Sequence, residues 1–111
     1  MTIITDDNAF SAFLIDAPYA AVKFHSEKDC PDCERMLPIF KSLEKEPDYG
    51  HTKFGTMNAD NNPAAEKLIS SQRLPFVAVY KNSLLVEGTT VVSEDKLRAM
   101  LNNLNNAKII L

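Results

Sequence analysis

Two residues in this chain carry reactive sulfur: Cys30 and Cys33, with Pro31 and Asp32 between them. Cysteines so spaced can close a disulfide, ligate a metal, or exchange with another disulfide as thiolates. A structural staple is not expected. The start of the chain, Met1-Thr2-Ile3-Ile4-Thr5-Asp6-Asp7, lacks the basic opening and long apolar stretch of a secretion signal. Thiols inside the cell are kept reduced, and a loop this short stabilises little through chain entropy. For a metal, only His25 and His51 can complete four ligands, and they lie in separate segments. Two cysteines that merely pack are the bland alternative.

The surrounding pattern decides what positions the pair. Thr5, Asp6 and Asp7 are helix-cap types, and Phe10, Phe13, Leu14 and Ala17 follow on one helical face. Pro18 ends that helix. Ala20 to Ser26 is apolar with a β-branched centre and reads as a strand. A charged connection, Ser26 to Asp29, leads into a second helix predicted from about Cys30 to Glu46. Its apolar face is Met36, Leu37, Ile39, Phe40 and Leu43. Pro31 suits the first helical turn, whereas Pro38 sits inside the helix and should kink it.

Thr52 to Asn58 reads as a weaker strand, and Asn62-Pro63 opens a short helix through Leu68 and Ile69. Phe76 to Tyr80 is a strand. Lys81-Asn82-Ser83 turns it into Leu84 to Gly88, forming a hairpin. Ser93 caps a last helix, with Glu94 and Asp95 at its positive end and Leu97, Met100, Leu101 and Leu104 as its core stripe. The order is β-α-β-α-β-α-β-β-α, which predicts an α/β fold: a mixed sheet with helices on both faces.

At 111 residues the chain is expected to form a single domain, 1–111. The longest apolar runs are four or five residues, so no membrane span is expected. A net charge of −3 with scattered Lys and Arg argues against electrostatic binding of nucleic acid. Residues 105–111, ending Ala107-Lys108-Ile109-Ile110-Leu111, read as a flexible or partner-contacting tail, since the asparagines at 102, 103, 105 and 106 are poor helix formers.

Together these residues resemble the thioredoxin family from about Ile3 to Leu104. Thr5-Asp6-Asp7-Asn8-Ala9-Phe10 is similar to the family's entry into its first helix. Cys30-Pro31-Asp32-Cys33 follows a strand and opens a helix holding Pro38 where the family kinks it. Asn58-Ala59-Asp60-Asn61-Asn62-Pro63 and Leu74-Pro75-Phe76 are similar to two further family segments. A lone Cys-x-x-C is a weak signal. One at a strand-to-helix junction, with a proline forty-two positions later at a strand start, is a strong one.

The resemblance implies a thioredoxin fold and thiol–disulfide exchange through a redox-active Cys30–Cys33 pair, with no bound cofactor and no metal. Helix N-termini stabilise negative charge, so Cys30 at the exposed start is the expected nucleophile. Cys33, nearer the core, is the expected resolving thiol. Pro75 corresponds to the family's cis-proline, and Leu74 before it would offer its backbone to a bound peptide. The implied partners are protein disulfides and an electron-donating reductase or glutathione. A cytoplasmic monomer is expected.

Two departures from the family pattern stand out. Asp29 replaces the usual Trp before the first cysteine, and Asp29, Asp32 and Glu34 are expected to put three carboxylates around the thiols. They should hold the Cys30 pKa up and make the couple reducing. Lys23 falls where the family carries a buried Asp. It could favour the Cys33 thiolate, act as a base, or simply reach past the core to water or Glu27. His25, on the same side of its strand, could tune Cys30 or face the surface. Two other readings remain: a thioredoxin-fold binding module with non-catalytic or regulatory cysteines, and a glutaredoxin-like glutathione-dependent protein.

Overall fold

The computed structural model describes residues 1–60 and 62–106. The elements, in chain order, are β1 Thr2–Ile4, α1 Asp7–Ile15, β2 Tyr19–His25, α2 Pro31–Glu44, β3 Thr52–Asn58, α3 Pro63–Ile69, β4 Phe76–Lys81, β5 Leu84–Thr90 and α4 Glu94–Asn105. The last five residues, and with them most of the expected tail, lie outside the described residues.

The five strands form one sheet in the order β1-β3-β2-β4-β5. β1, β3 and β2 run parallel, while β4 is antiparallel to β2 and β5 to β4. Period-two alternation along β2 divides the core into two layers. Val22 and Phe24 pack with Phe10 and Phe13 of α1 and Ala65 and Ile69 of α3. Ala21 faces the other side, with Met36, Phe40 and Leu43 of α2 and Leu97, Met100 and Leu101 of α4. Full burial of each large side chain here contributes about 2 kcal/mol. Lys23 shares the second face and is only 2% exposed, although it carries an ammonium.

The helix starts follow from their caps. Asp6 Oδ1 accepts the Ala9 N–H at 2.8 Å, and Ser93 Oγ accepts the Lys96 N–H at 3.2 Å. The second helix ends at Glu44, two residues before the predicted boundary. Glu46 precedes Pro47, which pushes it into extended backbone at φ −75°, ψ 137°. A 3₁₀ turn, Pro47–Tyr49, follows. It buries Tyr49, whose hydroxyl lies 2.9 Å from Asn102 Oδ1. The hairpin turn contains no glycine. Asn82 and Ser83 both take positive φ, 51° and 69°, as a two-residue turn with the twist of its strands requires.

Candidate active site

The pair stands beyond the carboxyl end of β2, where open α/β sheets place their ligand sites. β2 stops at His25, and residues 26–29 carry the chain to α2. Ser26 fixes this connection: its Oγ lies 2.8 Å from Asp60 Oδ2 and accepts the Lys28 N–H at 3.0 Å. Asp29 takes φ 46°, which short polar side chains tolerate best after glycine. That turn delivers Cys30 to the N-cap of α2, with Pro31 at the first helical position.

Cys30 and Cys33 are joined as a disulfide, with Cα atoms 5.2 Å apart. Cys30 Sγ accepts the Cys33 N–H at 3.3 Å. In the reduced protein that same N–H can serve a thiolate at position 30, together with the helix dipole. Cys30 is half-buried and Cys33 is 4% exposed.

The two cysteines line two different openings. Cys30 lines a groove of about 370 Å³ with Lys28, Asp29, Asp32, Asp60, Arg73 and Leu74. Cys33 lines a cavity of about 720 Å³ on the other side of α2, with Lys23, His25, Glu27, Glu34 and Lys41. The three expected carboxylates are therefore divided. Asp29 and Asp32 stand on the Cys30 side, whereas Glu34 stands on the Cys33 side. Asp32 is moreover paired with Arg35 at 3.3 Å. Asp60 takes the place of Glu34 on the Cys30 side, and Lys28, Arg73 and the Arg35 pairing stand against these acids.

The Leu74–Pro75 peptide bond is cis. Its neighbours on either side are tied to β5 and its end. Thr90 Oγ1 donates to the Arg73 carbonyl at 2.6 Å, and the Val91 N–H donates to the Pro75 carbonyl at 2.9 Å. Among the described residues, nothing hydrogen-bonds to the backbone N–H or C=O of Leu74 between them. A fixed segment with open main-chain groups beside Cys30 is what an extended peptide needs in order to add as a strand.

Lys23 makes no ion pair with Glu27 or any other described residue, and its ammonium faces the cavity behind α2. Burial, with the Lys41 ammonium added, brings its pKa down to about 8. His25 is held below the usual histidine range by burial first and then by Lys23, against the opposing pull of Glu27 and Asp60. Its Nδ1 lies 3.1 Å from Thr56 Oγ1. Asp60, Arg35, Arg73 and Thr90 were not identified from the sequence as site residues. Among the described residues, no group of three or more His, Cys, Asp or Glu side chains is arranged to hold a metal ion.

The chain is 30% identical over 99 residues to the thioredoxin of Buchnera aphidicola (subspecies Baizongia pistaciae), covering 86% of this chain and 88% of that protein. The chain belongs to the thioredoxin family. The thioredoxin of Ictalurus punctatus is 28% identical, covering 86% of this chain and 91% of its own. No family model matches. Thioredoxin structures from Plasmodium falciparum and Fasciola hepatica superpose with TM-scores of 0.82, at 20% and 19% identity. They cover 93% and 94% of this chain, and 98% and 99% of their own. At that identity the superpositions speak for the thioredoxin fold alone. Family membership and a Cys-x-x-Cys pair at disulfide distance make this thioredoxin-family protein a thiol–disulfide oxidoreductase acting on protein disulfides.

Proposed function

We propose that the protein works as a reductase, with Cys30 as nucleophile and Cys33 as resolving thiol. The observation that carries this reading is the division of the sulfurs: Cys30 opens onto the groove with Leu74, and Cys33 is buried behind it. A substrate disulfide lies along Leu74 and meets the Cys30 thiolate. A mixed disulfide forms, and the substrate's first sulfur leaves. Cys33 then attacks Cys30, the second substrate sulfur leaves, and the Cys30–Cys33 disulfide remains. Two electrons have passed to the substrate. A reductase or glutathione returns them, in a reducing compartment such as the cytoplasm. No bound cofactor takes part.

Pro31 and the two carboxylates of Asp29 and Asp32 set how strongly the Cys30 thiolate is favoured. Negative neighbours disfavour it, which makes the couple more reducing. Equilibration in glutathione buffers of graded poise, with free thiols counted by mass, tests the direction. A two-electron transition below roughly −230 mV supports a reductase, and one well above it marks an oxidant or isomerase. Cys33→Ser should trap substrates as mixed disulfides, while Cys30→Ser should trap none.

A further inference from the structure

The cavity behind α2 holds a charge that the exchange scheme has not used. Lys23 is the one charged side chain classed as buried among the described residues, and it forms no ion pair there. Its Nζ is not among the closed-off polar atoms left without a partner, so the buried side chain delivers its charge to the cavity, where water or an anion can compensate it. The cavity's acids do not pair with Lys23. Glu44 is bound by the Met1 ammonium at 2.9 Å. Glu27 acts on His25, and Glu34 is exposed on the first turn of α2. The cations of the lining are Lys41 of α2 and Lys45 just after it, both exposed like Glu27 and Glu34, and His25 of β2, which burial and Lys23 hold toward its neutral form. Of all the residues that line this cavity, only Lys23 and Cys33 are buried, so the ammonium and the thiol share its floor.

We propose that Lys23 is a positioning residue that holds Cys33 as a thiolate for the resolving step. The proposal rests on Cys33 being the resolving thiol and names what activates it. The Cys33 S–H loses its proton to water in the cavity. The thiolate attacks Cys30 Sγ, the bond between Cys30 and the substrate sulfur breaks, and the substrate departs as a thiolate that takes up a proton. The ammonium favours the charged form of Cys33 throughout, from the side opposite the substrate. Proton and substrate thus leave by different openings. An acidic residue in this place would accept the proton but oppose the thiolate. A lysine does the reverse, so the resolving step here is driven by charge.

The test follows Cys33 itself rather than turnover. In the Cys30→Ser background, the ¹³Cβ shift of Cys33 is titrated by NMR with Lys23 intact, with Lys23→Met and with Lys23→Arg. The expected result is a midpoint higher by about one pH unit in Lys23→Met, in line with the effect of one nearby charge, and restored toward the parent in Lys23→Arg. A Lys23→Met midpoint within experimental error of the parent overturns the proposal. A second measurement needs no substitution. The ¹⁵Nζ resonance of Lys23 is titrated in the oxidised and reduced wild-type protein. A higher midpoint on reduction supports the pairing, because a thiolate then stands beside the ammonium, and equal midpoints overturn it. Neither readout depends on which substrate is reduced or on the direction of exchange, so failure here and failure of the reductase reading are separable.

Discussion

Arg35 holds Asp32: its Nη2 lies 3.3 Å from Asp32 Oδ1 and 2.6 Å from the Val92 carbonyl, to which it donates. The side chain thus spans from α2 to the segment before α4, and it offsets one of the carboxylates beside Cys30. Arg35→Met should release that carboxylate, raise the Cys30 thiol pKa and make the couple more reducing. Asp32→Asn should do the opposite and by less, since the charge it removes is already paired. Both groups are substantially exposed, so each change is expected below about 1 kcal/mol, or roughly 20 mV for a two-electron couple. Redox titration of both variants checks the opposite signs. Shifts in one common direction would contradict this account.

Thr90 is expected to act on substrate affinity without touching the sulfurs. Its hydroxyl bond to the Arg73 carbonyl fixes the segment that presents Leu74. Thr90→Val keeps the shape and removes the donor. A hydrogen bond of about 0.5–1.5 kcal/mol converts to a loss of roughly two- to tenfold. The loss should appear as a raised KM for a folded protein disulfide, with kcat largely kept. A small aromatic disulfide, which does not lie along Leu74, should be reduced at the parent rate. Equal losses for both substrates would place Thr90 in the chemistry instead.

Gly55 marks where β3 passes closest to its neighbours. A Cβ added there would stand 2.8 Å from Ile4 Cδ1 and 3.0 Å from the Phe13 ring. Both side chains are buried. Gly55→Val should therefore cost about 1–3 kcal/mol through overpacking, with the fold retained. Urea unfolding followed by circular dichroism would show a lower midpoint. An unchanged midpoint would mean that β1 can shift away freely.

Much of this was legible in the chain. Most of the helix and strand order needed only periodicity, because Phe10, Phe13 and Leu14 on one face and the Phe76–Tyr80 run are unambiguous patterns, whereas β1, three residues long, carries no pattern that placed it. The Cys30–Cys33 pair needed its place at a strand-to-helix junction and the resemblance to the thioredoxin family, since its spacing alone is a weak signal. The electrostatics were not legible. Glu34 and Asp32 are close in sequence, yet a helix sends them toward different openings, and Arg35, adjacent to Glu34, turns back to pair with Asp32. Thr90 and Arg73 meet only because β5 returns beside the start of β4. Long-range pairings of that kind leave no periodic trace. Lys23 was visible as an anomaly, but its burial without a carboxylate depends on α2 covering it.

That burial has a measurable consequence for stability. In the oxidised protein Lys23 titrates at about 8, against 10.5 for an unperturbed lysine. Between these two values the unfolded chain binds more protons than the folded one, so stability rises with pH. Below pH 8 the full penalty of the buried ammonium is present. Tyr80, buried and pushed up to about 12 from 10.0, acts with the opposite sign, but only above pH 10. Because the Lys23 Nζ meets the cavity, solvent screening keeps only part of that shift as stability, and Lys23→Met should be more stable than the parent near pH 7 by about 2 kcal/mol. The advantage should shrink steadily as pH approaches 10. Urea midpoints of both oxidised proteins at intervals from pH 7 to 9.5 would trace that convergence. Parallel curves would mean that water already solvates the ammonium in the folded state, and that Lys23 is held in place by its aliphatic stem alone.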